Sequence, residues 1–419
     1  MSEDRDVLEV EFRDICFPSR QTGRPVSESM KLCRVALIAH CYHESSARHK
    51  LAFLAQNTDF RLISPQYYPY PYGRREIDYE FNREVAVCAL PIHFLSPRPT
   101  STRWILESRD LGFREFKPDI IHVENEQHSW ILCQALLYRK LYAPSAKMVV
   151  FVWDNIYPSE QDSKARLLEH LARINRRFVD FFICGNAAGK EILIQKGVPA
   201  SRVEVIPQFG VDTGVFHPFT SDQRLSVRSE MDISPDEFAV GFVGRFVEEK
   251  GLLDLVEAMT QLRTATNRQV VLILVGTGPL ETPLRETCTA RGIRLLVLPP
   301  CRNDEVVAAM NSLDVLVLPS RSRSFWKEQF GRVLIEAMAC GVPVIGSSSG
   351  EIPNVIGDAG LVFKEGDSAQ LCEKLKLYCD DEGFRTACAL KGLQRVLNSF
   401  TNERIAQRTL AVYERVAAS

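Results

Sequence analysis

Two carboxylates stand eight positions apart around the start of an apolar helix pattern. The stretch 328–341 reads EQFGRVLIEAMACG, with Glu328 before a Phe-Gly pair and Glu336 inside the helix that Gly341 ends. The unpaired N–H groups and the dipole at a helix start favour an anion. One acid before the helix and one inside it could hold hydroxyls at the two ends of a sugar nucleotide. The spacing therefore predicts a site for such a ligand, with its phosphates at the helix start.

A second candidate element is a turn that carries two cations. Arg245 and Lys250 lie five positions apart, beside Gly244 and Gly251, just after an apolar strand pattern. Arginine can bind a diphosphate through two parallel hydrogen bonds, and lysine can bind it as a point charge. The alternative is a surface pair, salt-bridged to the acids of the same RFVEEK loop. Because the two cations occur together with the two glutamates in the same half of the chain, we favour a diphosphate site.

The surroundings of the two glutamates suggest separate roles. Glu336 lies in a largely apolar helix, where an acid needs a partner because unpaired burial is costly. A ribose diol could supply two hydroxyl donors to Glu336, while Glu328 would accept hydrogen bonds from the donor sugar. The backbone N–H groups of Phe330 and Gly331 are expected to add to the phosphate site. The predicted donor site is thus Arg245, Lys250, Glu328, Phe330, Gly331 and Glu336.

The first half of the chain holds a weaker candidate cluster at the end of a strand, DIIHVENEQH. His122 could carry a proton, and Glu124 and Glu126 could orient an acceptor hydroxyl. The alternative is a strand histidine with a satisfied hydrogen bond and two solvated glutamates. We keep both readings open and take His122 and Glu124 as catalytic candidates beside Glu328, Arg245 and Lys250. Asp154 and Asn155 follow the next strand, and Asn155 more often caps a turn than binds substrate.

The elements that must position these residues alternate between strands and helices. Apolar strand patterns recur in the first half and restart after the turn-rich stretch QFGVDTGVFHP at 208–218. This alternation predicts parallel sheets covered by helices, and ligands then lie at the carboxyl ends of the strands. We expect two doubly wound domains that face a cleft. The predicted boundaries are a polar extension at 1–30, an acceptor domain at 31–209, a donor domain at 210–398 and a final helix at 399–419.

Composition limits the class of protein. The chain has 419 residues, 45% of them hydrophobic, and a formal net charge of −2, which gives no reason to expect a nucleic-acid partner. Its twelve cysteines form no CxxC pair and indicate reduced thiols and a cytoplasmic location. No signal peptide or membrane-spanning run is expected. The one Asp-x-Asp is Asp4–Asp6, so no divalent metal cofactor is expected, and the two cations would neutralise the phosphates.

Three further segments could contact the acceptor or a membrane. The loop 40–49, HCYHESSARH, is expected to line the acceptor side without the glycines that close approach to phosphate favours. The aromatic segment 66–72, QYYPYPY, could stack on a sugar, but a stiff packed loop is the favoured reading. The stretch 166–178, RLLEHLARINRRF, is amphipathic, with Leu167, Leu171, Ile174 and Phe178 on one face. Its basic residues could touch an anionic membrane, although a helix that covers the sheet is the favoured interpretation.

Together these motifs resemble the retaining family-four glycosyltransferases of the GT-B fold. The resemblance is carried by GFVGRFVEEKG at 241–251, LVGTGP at 274–279, the stretch 328–347 and GEIPNVIGDAGLVF at 350–363. PDIIHVENE and PQFGVDTGVF extend it more weakly into the first half. It implies two Rossmann-like domains, a C-terminal helix that returns to the first, and stabilisation of the leaving diphosphate by the two cations. Many relatives have a histidine where this chain has Glu124, so that family residue does not transfer.

From the residues and the resemblance we expect a retaining hexosyltransferase of polysaccharide, glycolipid or other glycoconjugate biosynthesis. The donor would be a nucleotide sugar, and the acceptor a sugar, a lipid-linked molecule or a small molecule. A peripheral contact with a membrane is compatible with this expectation. The alternatives are a sugar-nucleotide epimerase or hydrolase on the same fold, and a non-catalytic nucleotide-binding paralogue in a polysaccharide-assembly complex. Release of free sugar, or donor binding without turnover, would distinguish them.

Overall fold

Two parallel sheets, each covered by helices, form the frame of the computed structural model. The structure describes residues 33–43, 45–70, 73–76, 85–96, 100–156, 163–300 and 303–419. The predicted extension at 1–30 lies outside these ranges. No helix in the described part of the chain has the length and apolar character needed to cross a bilayer.

The first sheet has seven parallel strands in the order β11-β10-β9-β8-β1-β2-β5. Its central strands are continuous apolar runs, which is the pattern of strands buried on both faces. Two antiparallel hairpins, β3–β4 and β6–β7, flank it. The strands of this half are β1 (Arg34–Ile38), β2 (Asp59–Pro65), β3 (Tyr67–Tyr70), β4 (Gly73–Glu76), β5 (Ala86–Leu90), β6 (Ile92–Phe94), β7 (Trp104–Leu106), β8 (Ile120–Glu124), β9 (Lys147–Val152), β10 (Phe181–Cys184) and β11 (Val203–Val205).

The helices of the first half connect these strands and cover both faces of the sheet. They are α1 (His49–Ala55), α2 (Phe113–Phe116), α3 (Trp130–Tyr142), α4 (Ser163–Arg176) and α5 (Ala187–Gln195). Side-chain caps begin two of them, because Ser129 accepts from the Leu132 N–H and Asn186 accepts from the Gly189 N–H. Such caps satisfy N–H groups that a helix start leaves unpaired.

The second sheet has six parallel strands in the order β14-β13-β12-β15-β16-β17. Its strands are β12 (Phe238–Val243), β13 (Val270–Val275), β14 (Arg294–Leu298), β15 (Val315–Leu318), β16 (Val344–Ser347) and β17 (Leu361–Phe363). Its helices are α6 (Ser221–Glu230), α7 (Leu252–Ala265), α8 (Glu281–Ala290), α9 (Asn303–Ser312), α10 (Arg332–Ala339), α11 (Ile352–Ile356), α12 (Ser368–Asp380) and α13 (Glu382–Ser399). The predicted α/β class with two doubly wound domains is confirmed.

The final helix, α14 (Asn402–Ala417), returns to the first domain as the resemblance implies. It packs against α1, and Ile405, Val412 and Tyr413 join the core beneath β1 and β9. A parallel bridge between Val211 and Thr401 holds the turn between the domains beside the start of α14. The connection therefore crosses between the domains twice, once at this turn and once at the helix.

Two local expectations need correction. The aromatic segment is not a loop, because Tyr67–Tyr70 forms β3, and Tyr68 is buried against Trp104 and Phe94. The helix α4 packs against α3 with a partly polar side, since Ala172, Asn175 and Arg176 are buried. The apolar side that was expected to cover the sheet is instead exposed at Leu167, Ile174 and Phe178. The polar residues can be buried because Asn175 and Arg176 both hydrogen-bond Gln127.

Candidate active site

The charged cluster of the second domain lies where the strand order reverses. β12 and β15 are neighbours, but the chain continues from β12 to β13 on one side and from β15 to β16 on the other. The loops after two such strands diverge and leave a crevice, which is where ligands bind in open parallel sheets. The loop after β12 carries Arg245 and Lys250, and the loop after β15 carries Glu328 and Gly331. Strands that are 72 or more positions apart in sequence thus bring these four predicted donor residues to one crevice.

Glu328 is buried, and its two carboxylate oxygens are used unequally. Oε2 accepts hydrogen bonds from Lys250 Nζ at 2.6 Å and from Ser320 Oγ at 2.8 Å. Oε1 accepts none from the residues that the structure describes. A buried carboxylate with a free lone-pair site can accept a ligand hydroxyl without first breaking a bond within the protein.

The two cations differ in how far they are already engaged. Lys250 pairs with Glu328 and lies 5.1 Å from the centre of the Trp326 ring. The Arg245 side chain is exposed and forms no ion pair within the described ranges. The alternative of a salt bridge to Glu248 or Glu249 is therefore not what this structure shows for either cation. Glu248 pairs with Arg323 instead, at 3.4 Å.

Glycines allow the loops of the crevice to approach each other. Gly251 has a φ of +67°, and a Cβ there would lie 1.9 Å from the Pro319 carbonyl oxygen. Gly331 begins α10 with a φ of +81°. The Phe330 side chain, by contrast, packs inward against Phe400, with ring centres 5.8 Å apart. Only the backbone at positions 330 and 331 is thus available to a ligand.

Glu336 has a protein partner that the sequence did not assign to it. Arg332, one turn earlier in α10, lies 2.7 Å from Oε1 of Glu336. Burial raises the pKa of the Glu336 carboxyl, and the Arg332 guanidinium opposes that rise. Arg332 is about half exposed, whereas the Glu336 side chain is only 13% exposed. A ribose diol would therefore meet a carboxylate that already has one cationic neighbour.

In the first domain, His122 points away from the cleft toward the returning helix. Its Nδ1 lies 2.8 Å from the Tyr413 hydroxyl, and the residue is only 2% exposed. Burial lowers the pKa of His122 to about 4, so the ring is neutral near pH 7. The contact with α14 supports the structural alternative of a strand histidine with a satisfied hydrogen bond. Its catalytic role stays a prediction that this geometry does not support.

Glu124 is neither solvated nor open to an acceptor. It accepts from Lys50 Nζ at 3.0 Å, Tyr42 Oη at 2.9 Å and Gln208 Nε2 at 2.7 Å. Burial alone would raise the pKa of Glu124, but Lys50 and the other neighbours hold it below its usual value. Lys50, Tyr42 and Gln208 were not among the predicted site residues, because even the nearest of them in sequence lies 74 positions from Glu124. The sequence signal that could have indicated this buried pair is Lys50 itself, a lysine within the otherwise apolar run of α1.

A third carboxylate of that segment, Glu126, lies at the cleft edge. Its Oε1 accepts from the backbone N–H groups of Trp153 at 2.7 Å and Asp154 at 3.2 Å. Burial, and then the neighbouring Asp154, raise the pKa of Glu126 well above its usual value. Asn155, two residues beyond Trp153, donates to the carbonyl oxygen of Glu328 at 3.2 Å. The loop 153–155 therefore joins the acceptor-side strands to the donor loop.

The chain has two doubly wound domains, which a turn and a returning helix join, and a charged crevice at a switch point. This arrangement is that of the GT-B class of two-domain α/β proteins. Residues 34–208 match the family model described as "Glycosyl transferase 4-like domain", and residues 224–395 match "Glycosyl transferases group 1". Between them the two matches cover most of the chain. The chain belongs to the group 1 glycosyl transferases.

Curated relatives share part of the chain. A D-inositol 3-phosphate glycosyltransferase from Salinispora tropica is 31% identical over 234 residues, 52% of this chain and 47% of the relative. A GDP-mannose-dependent monoacylated alpha-(1-6)-phosphatidylinositol monomannoside mannosyltransferase from Corynebacterium glutamicum is 30% identical over 202 residues, 48% of this chain and 53% of the relative. The matched region spans about half the length of these curated relatives.

Solved structures share the fold over nearly the whole chain. The complex of Anabaena HepE with UDP superposes with a TM-score of 0.68 at 18% identity, covering 91% of this chain and 100% of that one. A glycosyltransferase from Rickettsia africae superposes with a TM-score of 0.69 at 15% identity, covering 92% and 99%. At these identities the likeness concerns the fold alone.

Proposed function

We propose that this protein is a retaining glycosyltransferase that moves a sugar from a nucleotide sugar to an acceptor hydroxyl. The observation that carries the proposal is the crevice between β12 and β15. There the largely buried Glu328 side chain keeps one carboxylate oxygen, Oε1, without a hydrogen bond from the described residues, beside Lys250 and the exposed Arg245. The carboxylate oxygen suits a sugar hydroxyl, and the two cations suit a diphosphate.

Each donor-site residue has a separate task in this proposal. Arg245 and Lys250 bind the diphosphate and stabilise its growing charge as the bond between the anomeric carbon and the phosphate oxygen breaks. Glu328 holds the transferred sugar, and Glu336 holds the ribose. The acceptor oxygen bonds to the anomeric carbon on the face that the phosphate leaves, and its proton passes to the departing phosphate oxygen. The anomeric configuration is therefore retained.

We also propose that transfer needs no divalent metal, because Arg245 and Lys250 supply the charge that would otherwise neutralise the phosphates. Transfer in the presence of excess EDTA should equal transfer in its absence. A loss of transfer that Mg²⁺ or Mn²⁺ restores would contradict this part of the proposal.

The central experiment is a thermal-shift screen of UDP, GDP and ADP sugars, followed by a transfer assay with the donor that stabilises the protein. Ligands that bind only the folded state stabilise it by an amount that grows with the ratio of ligand concentration to Kd, so at equal concentration the tightest-binding donor raises the melting temperature most. The Glu328→Ala variant should lose transfer. Glu365→Ala, which removes an acid of the neighbouring loop, serves as the control. Stabilisation by none of these donors, or full transfer by Glu328→Ala, would overturn the proposal. Release of free sugar as the main product would favour a hydrolase.

We further propose that the first domain lies against an anionic membrane surface. The helices α3 and α4 are in contact, and each exposes large apolar side chains with the same spacing. These are Trp130, Leu137 and Leu141 in and at the start of α3, and Leu167, Ile174 and Phe178 in and just after α4.

The charges around these side chains favour an anionic partner. Lys140 of α3 is exposed, as are Arg166, Arg173 and Arg177 in and just after α4. The helix α3 contains no acidic residue. An apolar surface with a cationic border, on a chain of net charge −2, suits a lipid surface with anionic headgroups. This location is compatible with a lipid-linked acceptor.

The membrane contact can be measured by cosedimentation with vesicles. The protein should bind vesicles that contain phosphatidylglycerol and bind pure phosphatidylcholine far less. Leu167→Ser/Phe178→Ser should lose binding, whereas Leu225→Ser, which changes an exposed leucine of the second domain, should keep it. Equal binding by the wild type and the double variant, or no preference for anionic vesicles, would contradict the proposal.

A further inference from the structure

The loop that carries Glu328 is hydrogen-bonded across the cleft to the first domain. The Asn155 amide Nδ2 lies 3.2 Å from the carbonyl oxygen of Glu328 and 3.4 Å from that of Lys327. Gln329 Nε2 reaches back to the Trp153 carbonyl at 3.3 Å. A third contact joins the domains nearby, where the Ala187 N–H donates to Glu351 at 3.0 Å. The donor loop therefore has partners in both domains.

The first-domain end of this contact is held firmly. The buried carboxyl of Glu126 accepts from the N–H groups of Trp153 and Asp154, and Asn186 donates to the Trp153 carbonyl at 2.9 Å. Asn155 itself is only 7% exposed. A side chain whose backbone is fixed and whose amide is buried loses little further freedom when it hydrogen-bonds the opposite domain.

The second-domain end is equally specific. The Glu328 carbonyl accepts a second hydrogen bond, from the Glu351 N–H at 3.0 Å. A Cβ at Gly350 would lie 2.0 Å from that same oxygen, so the two loops pack backbone to backbone. The carbonyl of Glu328 is thus held from both domains, while its carboxylate holds Lys250. A shift of the backbone at 328 would move the carboxylate as well.

We propose that Asn155 is a positioning residue that sets the place of the Glu328 carboxylate when the two domains are together. The inference rests on the proposed function, in which Glu328 holds the transferred sugar. Asn155 touches neither phosphate nor base in this assignment. Its loss should therefore lower the rate of the chemical step more than the affinity for a nucleotide diphosphate.

The first test needs no ligand. Amide hydrogen exchange over residues 324–334 should be faster in Asn155→Ala than in the wild-type protein, because the donor loop loses its cross-cleft partner. Asn175→Ala is the matched control. Asn175 is also buried and also donates to a backbone carbonyl, that of Gln127 at 2.9 Å, but its partners Gln127 and Cys133 both lie in the first domain. Equal exchange in this segment for the wild type and Asn155→Ala would overturn the proposal.

The second test measures sugar transfer from the nucleotide sugar that stabilises the wild-type protein in the thermal-shift screen. Asn155→Ala should lower kcat by about 10- to 100-fold, with KM for the donor and the Kd of the matching nucleotide diphosphate changed less than about threefold. Asn175→Ala should keep kcat. The same loss of kcat in both variants would show a merely structural role and overturn the proposal.

A third variant and the hydrogen-exchange test, which needs no ligand, separate the positioning role of Asn155 from the proposed glycosyltransferase function. Asn155→Asp retains the shape of the side chain but lacks the amide donor. It should show the faster exchange and the lower kcat expected for Asn155→Ala, and it replaces that variant if the alanine protein folds poorly. An aspartate variant with wild-type exchange and wild-type kcat would contradict the assignment. If the wild-type protein transfers no sugar, the proposed function fails, yet the exchange test still decides whether Asn155 holds the donor loop.

Discussion

In the described part of each domain a lysine–glutamate pair lies beside the carboxyl end of a strand, and the two pairs differ in their surroundings. In the first domain, Lys50 and Glu124 lie 3.0 Å apart, with side chains 3% and 1% exposed. In the second domain, Lys250 and Glu328 lie 2.6 Å apart, with side chains 16% and 10% exposed. The distances between the lysine Nζ and the carboxylate oxygen are similar, so they do not distinguish the two pairs.

The remaining hydrogen bonds distinguish them. Both oxygens of Glu124 are engaged, because Tyr42 and Lys50 donate to one and Gln208 to the other. Glu328 has one engaged oxygen and one that accepts nothing from the described residues. A saturated buried pair can hold a fold together but has no capacity for a ligand. The comparison assigns the first pair to stability and the second to binding, and each prediction below tests that division.

The largest expected effect is on stability. Lys50→Met should lower the free energy of unfolding by about 3–5 kcal/mol, because it leaves the buried Glu124 charge without its cation. Urea denaturation measures this difference. The double variant Lys50→Met/Glu124→Gln should recover part of the loss, since it removes the unpaired charge. A single variant as stable as the wild type would show that the pair does not support the first domain.

The matching change in the second domain should act on transfer instead. Lys250→Met should reduce kcat/KM by about 100- to 1000-fold, the range found when one group that stabilises developing charge is removed. Its free energy of unfolding should fall by less than that of Lys50→Met, because the Lys250 and Glu328 side chains keep some contact with solvent and Ser320 still donates to Glu328. Lys327→Met, an exposed cation one residue before Glu328, is the control and should keep its activity. Destabilisation as large as that of Lys50→Met would remove the distinction between the pairs.

Acid should weaken the first domain through His122, which lies beside the Lys50–Glu124 pair. Burial lowers the pKa of His122 to about 4, below the 6.5 of an unperturbed histidine. The unfolded chain therefore binds the proton first, so stability is complete above pH 6.5 and falls as the pH drops toward 4. The loss is on the order of 3 kcal/mol. Urea midpoints from pH 7 to pH 4 test it, and His122→Gln should flatten the profile. An unchanged profile in that variant would contradict the assignment.

The smallest effect concerns the ion pair of Glu336. Burial raises the pKa of Glu336 and Arg332 opposes this, so Arg332→Ala should raise that pKa further. The variant should bind the donor nucleotide roughly two- to fivefold more weakly at pH 6 than at pH 8, as calorimetry would show. Arg285→Ala breaks a comparable pair with Glu281, one turn apart in α8, and should have no effect. An equal change in both variants would argue against a ligand role for Glu336.

The donor side could be predicted from the sequence because its signals are local. The spacing of Glu328 and Glu336, the two cations beside glycines and the alternation of strands and helices each lie within short segments. Their meeting follows from the rule that ligands lie at the switch point of a parallel sheet. The two-domain α/β class followed from the same alternation, and the return of the last helix to the first domain was implied by the family resemblance that these motifs carry.

The acceptor side could not be predicted in this way. Glu124 and its lysine are 74 positions apart, and His122 meets Tyr413 across 291 positions. No local pattern reports such contacts. The apolar residues of α4 recur with the helical period that the sequence predicts, but this period alone does not say which side of the helix is buried. Partners from other segments decided that, since Gln127 allowed Asn175 and Arg176 to be buried in place of the leucines.

The sequence by itself determined the class of fold and the charged residues that line the crevice between β12 and β15, because strand patterns, glycine turns and charged motifs act over a few residues. The tertiary structure alone decided which of two similar ion pairs is saturated, which side of α4 remains exposed and which asparagine holds the donor loop. These outcomes depend on whether a buried polar atom finds a partner elsewhere in the chain, and only packing settles that.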